Sequence, residues 1–315
     1  RSRVFLKSLI APLVHWAAHV SGESARRALR QHAGRIITFH AVGVADCPAK
    51  VFEAQIRFLQ QHFKIVPLAT LVKHIRESNP AIDGEVALTF DDGLRNNGLV
   101  AYPILKRLGV PATFFICPGV VDRGEWLWNQ DCRRRLLSLS PAATATLADS
   151  LGRRGATSST LVDWMKTLPT HSRQHVEQII RNATPDFQPG DSERMQNDLM
   201  GWAELKSLDP ALITLGAHST NHPILANCQP AELIEEIQQC RPLLERRLDR
   251  PVEFFCYPNG DFNPAVVKFA ERTYTAAVTT RPGFVRPGVD VHQLPRLNTA
   301  RTLPHFTWRL FRPTA

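Results

Sequence analysis

EVALTFDDG (85–93) decides how this chain is read. A short apolar, β-branched run bounded by a turn signal reads as a buried strand. Here the run leaves through two adjacent carboxylates and a glycine, and Gly93 permits a sharp exit. Successive strand residues point to opposite faces, so Asp91 and Asp92 can share one pocket only if the chain turns there. Two ionised carboxylates so close repel each other unless a cation lies between them. A metal ion together with a general base meets that requirement; an ordinary Asx turn is the plain alternative.

Outward from this strand the same rhythm repeats. RIITFHAV (35–42), KIVPL (64–68) and PATFFICPG (111–119) are strand-like, and VFEAQIRFLQQHF (51–63), LVKHIRES (71–78) and NNGLVAYPILKRLG (96–109) are helical between them. Strands that alternate with helices predict parallel pairing in an α/β protein. Residues 122–200 interrupt with polar, Arg- and Ser-rich helical text, which predicts a helical insertion on a barrel, without enough apolar periodicity for a core of its own. The rhythm resumes with ALITLGAHS (211–219), a helix over 230–248, VEFFCYPNG (252–260), PAVVKFAERT (264–273), YTAAVTT (274–280) and HQLPRLN (292–298), and no internal repeat is visible.

The 315 residues are 43% hydrophobic and 21% charged, which excludes a disordered or collagen-like chain. The net charge of +9 sits in small knots such as Arg133-Arg134-Arg135 and Arg246-Arg247, with no single basic face, so no nucleic-acid partner is expected. A solvated basic surface is the simplest reading. An acidic glycan or an anionic membrane surface also fits, with Arg1, Arg3, Arg26 and Arg27 as the place to look. Six scattered cysteines, without a C-x-x-C pair, read as buried thiols of a reducing compartment, which suggests the cytoplasm or the periphery of the inner membrane, with the periplasm as the alternative because an even count also permits disulfides. VFLKSLIAPLVHWAAHV (4–20) carries Lys7, Pro12 and His15 and falls short of a spanning helix. Residues 1–34 are therefore expected to form an amphipathic leader helix, docked on the domain or lying on a membrane.

Two further strand ends carry chemistry. His218-Ser-Thr-Asn-His222 places two imidazoles four residues apart after an apolar strand, able to converge with a carboxylate on one metal and leave a position for water. Such His pairs also occur without metal. Phe255-Cys-Tyr-Pro-Asn-Gly260 ends in a turn that can aim backbone N–H groups at a substrate oxygen. Together these residues suggest a hydrolase with a divalent metal on Asp92, His218 and His222 and Asp91 as general base. His40, at another strand end, is the best candidate to protonate the leaving group.

TFDDG (89–93) and HSTNH (218–222), in that order, resemble the first two motifs of the polysaccharide deacetylases, carbohydrate esterase family four. The similarity extends over 101–116 and 200–225, and so spans most of residues 35–300. It implies a distorted (β/α)7 barrel over 35–315, one domain with the 122–200 insertion, that removes acetyl groups, usually from N-acetylglucosamine units. By the resemblance Asp91 is the base, Asp92, His218 and His222 bind the metal, and Asn259 supplies an oxyanion N–H. Two departures stand out: Cys256 occupies the place where the third motif commonly has Arg, and no late Leu-x-His motif is present. FHAV (39–42) is similar to the poly-N-acetylglucosamine deacetylase branch, which implies His40 as the acid. Arg296 in LPRLN (294–298) is the candidate to replace the missing arginine, with a surface salt bridge as its other reading.

The expectation is thus an N-deacetylase of a glycan or lipid-linked sugar in exopolysaccharide or cell-envelope assembly, with zinc as the first choice of metal. Peripheral membrane contact through the leader helix belongs to the same expectation. A catalytically silent glycan-binding barrel and an O-acetyl esterase or non-sugar amidase of the same metal type are the rivals.

Overall fold

The computed structural model describes residues 2–313, with side chains from Ile10 onward. Arg1 and the Arg3 side chain therefore lie outside the described residues. Two helices, α1 (Ser2–Val20) and α2 (Glu23–Leu29), lead into β1 (Arg35–Phe39). Then follow α3 (Ala49–His62), β2 (Lys64–Ile65), α4 (Leu68–Arg76), β3 (Glu85–Phe90), α5 (Tyr102–Leu108), β4 (Ala112–Ile116) and α6 (Pro118–Arg123). The insertion contributes α7 (Trp128–Ser138), α8 (Pro141–Ser150), α9 (Ser158–Met165), α10 (Thr170–Ala183) and α11 (Asp191–Asn197). The barrel resumes with α12 (Trp202–Ser207), β5 (Ile213–Ala217), α13 (Pro230–Leu233), α14 (Cys240–Leu248), β6 (Phe254–Cys256), α15 (Pro264–Thr273), β7 (Ala276–Pro282), β8 (Leu294–Asn298) and α16 (Leu303–Arg309).

All strand pairs are parallel, and the ring closes in the order β1-β8-β7-β6-β5-β4-β3 and back to β1. Seven strands form a closed barrel surrounded by helices, the (β/α)7 architecture expected. KIVPL proves not to be an eighth stave: only two of its residues pair, and they lie outside the ring against β3. Alternation sorts the strand residues into two sets. Ile37, Phe39, Leu88, Phe90, Phe114 and Leu215 pack outward under the helices in the main core. Ile36, Ala87, Phe115, Phe254, Val278 and Leu294 point into the lumen and fill it. Gly216 permits this, because a Cβ there would lie 2.6 Å from the Phe115 ring.

The insertion corrects one expectation. Trp128, Cys132, Leu136, Leu147, Leu161, Val162, Met165, Val176 and Ile180 form a separate buried cluster, closed against the barrel by Ile224. Its apolar residues are contributed by four helices, α7 to α10, a few from each, so no one helix builds the core alone. The leader also differs from a single helix, since Gly22 takes a left-handed conformation (φ +72°) and splits it in two.

Arg35 ties the leader to the barrel. Wholly buried, it donates to the carbonyls of Ala28 at the end of α2 (2.5 Å), Ala33 (2.9 Å) and Leu310 after α16 (2.8 Å). Its guanidinium also lies 5.0 Å from the ring centroids of both Phe63 and Phe284. Burial pulls its pKa down to about 10, still far above neutrality. Arg35→Met is expected to leave the Ala33 and Leu310 carbonyls without donors, the Ala28 carbonyl keeping the Gln31 N–H, and to lower stability by about 2–4 kcal/mol, as urea unfolding would measure.

Candidate active site

The site is assembled at the carboxyl ends of the strands, where parallel barrels carry their chemistry. His40, Asp91, His218, Cys256 and Arg296 all share the lumen parity of the strands that bear or precede them. In the β1–β3 register Phe39 faces Phe90, so His40 falls beside Asp91; its Nε2 lies 3.8 Å from Asp91 Oδ2, and the ring is 55% exposed. Asp92 is one residue out of phase and would point away from the lumen in a continuing strand. The chain turns it back: Asp92 and Gly93 both adopt positive φ, +73° and +68°. The strain at Asp92 is what brings two adjacent carboxylates into one pocket.

Arg296, 1% exposed, crosses from β8 to Asp91. Nη1 and Nη2 donate to Asp91 Oδ1 and Oδ2, each at 2.7 Å, a bidentate charge-assisted pair. Its remaining three donors reach the Thr279 carbonyl (2.7 Å), Thr89 Oγ1 (3.0 Å) and Cys256 Sγ (3.3 Å). All five guanidinium N–H groups are thus used on three other strands. Burial raises the Asp91 pKa, but the Arg296 charge and its hydrogen bonds outweigh this, and the carboxyl lies well below the usual carboxylate range. The other reading of Arg296, a surface salt bridge, does not describe this geometry.

Asp92, His218 and His222 converge behind Asp91. Asp92 Oδ1 lies 3.4 Å from His218 Nε2 and 3.5 Å from His222 Nε2, beyond the usual N–H···O range. Those spacings match the edge of a tetrahedron, about 3.4 Å, around an ion with ligands at about 2.1 Å. His218 Nδ1 donates to the Cys256 carbonyl (2.8 Å), which leaves the Nε2 lone pair aimed at the cluster. Desolvation, and then the neighbouring His218, lower the His222 pKa to about 3, so that ring is neutral and can offer a lone pair. For His218, burial disfavours the charge, while the adjacent Cys256 and then the Asp92 carboxylate favour it, with an upward net. For Asp92 burial works upward, and the close His218 ring brings the carboxyl below its ordinary value. These residues fit a divalent cation.

The loop that carries both histidines is fastened from several sides. Ser219 and His222 hold positive φ, +59° and +58°. Ser219 Oγ accepts the His222 N–H (3.0 Å), and the Trp128 indole at the start of α7 donates to the His222 carbonyl (2.9 Å). The Asn221 backbone and side-chain nitrogens donate to the buried Glu236 carboxylate, both at 2.8 Å. A Cβ on Gly119 would sit 2.5 Å from Asn221 Oδ1, so the α6 start needs glycine there.

Asn259 lies in an exposed, left-handed turn after β6 (φ +56°), where its side chain binds Asp261. Cys256, Thr89 and Trp128 contact the centre without having been singled out as site residues. Thr89 and Cys256 share strand parity with Asp91 and the lumen, a signal present in the alternation; Trp128 carries none. Among the described residues a second group of donors, Asp91, His218 and Cys256, also lies within 4.8 Å of one another.

Arg296→Met should leave Asp91 buried without its cation. Burial then prevails, the carboxyl pKa rises, and the acid limb of the kcat/KM profile moves to higher pH, with a stability loss of about 3–5 kcal/mol. An acid limb at the same pH in this variant would contradict the assignment, and Arg296→Lys should fall between the two.

The polysaccharide deacetylase family profile matches residues 78–278. YxkH of Bacillus subtilis (strain 168), which bears a provisional polysaccharide deacetylase name, is 20% identical over 271 residues, 84% of this chain and 71% of its own. The Streptococcus pyogenes deacetylase PplD, solved with acetate, superposes with a TM-score of 0.61 at 17% identity over 89% of this chain and 99% of its own. IcaB from Ammonifex degensii superposes at 0.58 and 16% identity, over 88% and 97% of the two chains. At these identities the structural likenesses establish the barrel. The profile covers well over half of the residues, and with it the chain belongs to the polysaccharide deacetylase family.

Proposed function

We propose that the protein is a metal-dependent N-deacetylase of N-acetylhexosamine units in a glycan or lipid-linked sugar, serving exopolysaccharide or cell-envelope assembly. The observation that carries this reading is the pairing of an arginine-held carboxylate, Asp91, with a three-donor cluster whose spacings suit a divalent cation. Zinc is the first choice, because two imidazoles and one carboxylate leave a position open.

A cation held by Asp92, His218 and His222 would supply Lewis acidity toward the acetyl carbonyl and toward water. Asp91 accepts the proton of the attacking water; Arg296 keeps it ionised and fixes the plane of its carboxylate. By the family resemblance the Asn259 backbone N–H is the candidate donor to the developing oxyanion, and His40, at the exposed rim beside Asp91, is the candidate to return a proton to the departing amine. The four residues of the base and the donor cluster are all in place, which favours an enzyme over a silent glycan-binding barrel. Six free cysteines, five of them buried, support a location in the cytoplasm or at the inner membrane.

Acetate release from a panel of N- and O-acetylated oligosaccharides, with and without chelator, tests the reading and separates an N-deacetylase from an O-acetyl esterase. Asp91→Asn is expected to lower turnover by roughly 10³-fold with metal content unchanged, and unchanged turnover would sink the mechanism. His222→Ala should lose metal and activity together; full metal stoichiometry in that variant would refute its role as ligand.

A further inference from the structure

We propose that the outward face of α1 is an interfacial membrane-binding surface that lays one flank of the barrel on an anionic bilayer. The helix is inverted relative to an ordinary surface helix. Its polar side chains turn inward: His15 stacks on His305 in α16 (4.8 Å) and lies beside Trp308, while His19 meets Thr307 (3.3 Å) and Phe58. The apolar ones turn outward. Ile10, Leu13, Val14, Trp16 and Val20 are each between 43% and 67% exposed. At 100° per residue they form one stripe with exposed Ala17, and no charged residue interrupts it between Ser8 and Gly22. A contiguous exposed stripe of this kind marks an interaction site rather than ordinary surface scatter.

The charge around the stripe selects the occupant. Residues 10–34 and 299–313, the described segments that build this flank, contain six Arg against one acidic residue, Glu23. Glu23 is already paired with Arg26 and Arg27. A second copy of the chain would bring the same basic border against itself, which like-charge repulsion opposes, whereas anionic headgroups complement it. An apolar stripe with tryptophan and a basic border is the pattern of a helix lying in the interfacial plane. Among the described residues no helix is long and apolar enough to cross a membrane. The flank also adjoins the mouth of the barrel: Arg301, just ahead of α16, pairs with Asp46 in the loop that follows β1 and His40. Bilayer contact at α1 would therefore set the His40 side of the site close to the lipid surface.

Co-sedimentation of the full chain with vesicles tests this independently of any activity. Vesicles of phosphatidylcholine with about one third phosphatidylglycerol should bind the protein, and pure phosphatidylcholine should bind it at least about tenfold less. Leu13→Glu with Trp16→Glu should abolish binding while leaving the melting temperature and metal content unchanged. As a measurement on the unaltered fold, brominated lipid should quench a tryptophan signal that Trp16→Phe removes. Absence of binding to anionic vesicles, or equal binding to neutral ones, would overturn the proposal. So would a solution dimer that Leu13→Glu dissociates, since the stripe would then be an interface between copies.

Discussion

The bidentate contact between Arg296 and Asp91 is the constraint on which the rest of the site depends. A carboxylate that is wholly buried in a barrel lumen persists in its charged form only if a cation shares the space. Arg296 supplies that cation and leaves none of its five donors idle, so four strands are stitched together across the lumen by one side chain. Cys256 makes room for this. It stands where a larger residue would meet the guanidinium, and its sulfur accepts one of the N–H groups.

With Asp91 fixed by β8, Asp92 is free to serve a second purpose, and the backbone provides the means. The two left-handed residues at 92 and 93 rotate the second carboxylate toward the histidine loop, itself held in two positive-φ conformations by Ser219, Trp128, Glu236 and Gly119. Strain in the histidine loop is thus balanced by hydrogen bonds with Ser219 within it, with Glu236 and with Trp128 of the insertion. The insertion is more than decoration for this reason: its Trp128 joins its own small core to the carbonyl of a metal-ligand candidate.

Much of this was legible in the residues alone. All seven staves lie among the eight strand-like runs with helical text between them, their number being what the family resemblance implied, and TFDDG and HSTNH mark two strand ends where polar groups gather. The shared lumen face of His40, Thr89, Asp91, Cys256 and Arg296 follows only when strand parity is combined with the register of the paired strands. Other features were not legible, for physical reasons. Arg296 could be named as the substitute arginine, but the bidentate form and full burial of its contact with Asp91 depend on ring closure between β8 and β1, across 205 residues of sequence. The core of the insertion is assembled from four helices, α7 to α10, each supplying only two or three buried apolar residues, so it emerges only when they pack together. KIVPL has strand composition, yet only Lys64 and Ile65 find a partner, because β1 and β4 already occupy both edges of β3.

The central claim is that a divalent cation is held by Asp92, His218 and His222 while Asp91 remains with Arg296. X-ray absorption on the zinc-loaded protein tests it most directly, because the competing donor group of Asp91, His218 and Cys256 contains sulfur. The account predicts a shell of nitrogen and oxygen scatterers at about 2.0–2.1 Å, two of them imidazole, and no sulfur. A sulfur scatterer at about 2.3 Å would place the ion on Cys256 and contradict it.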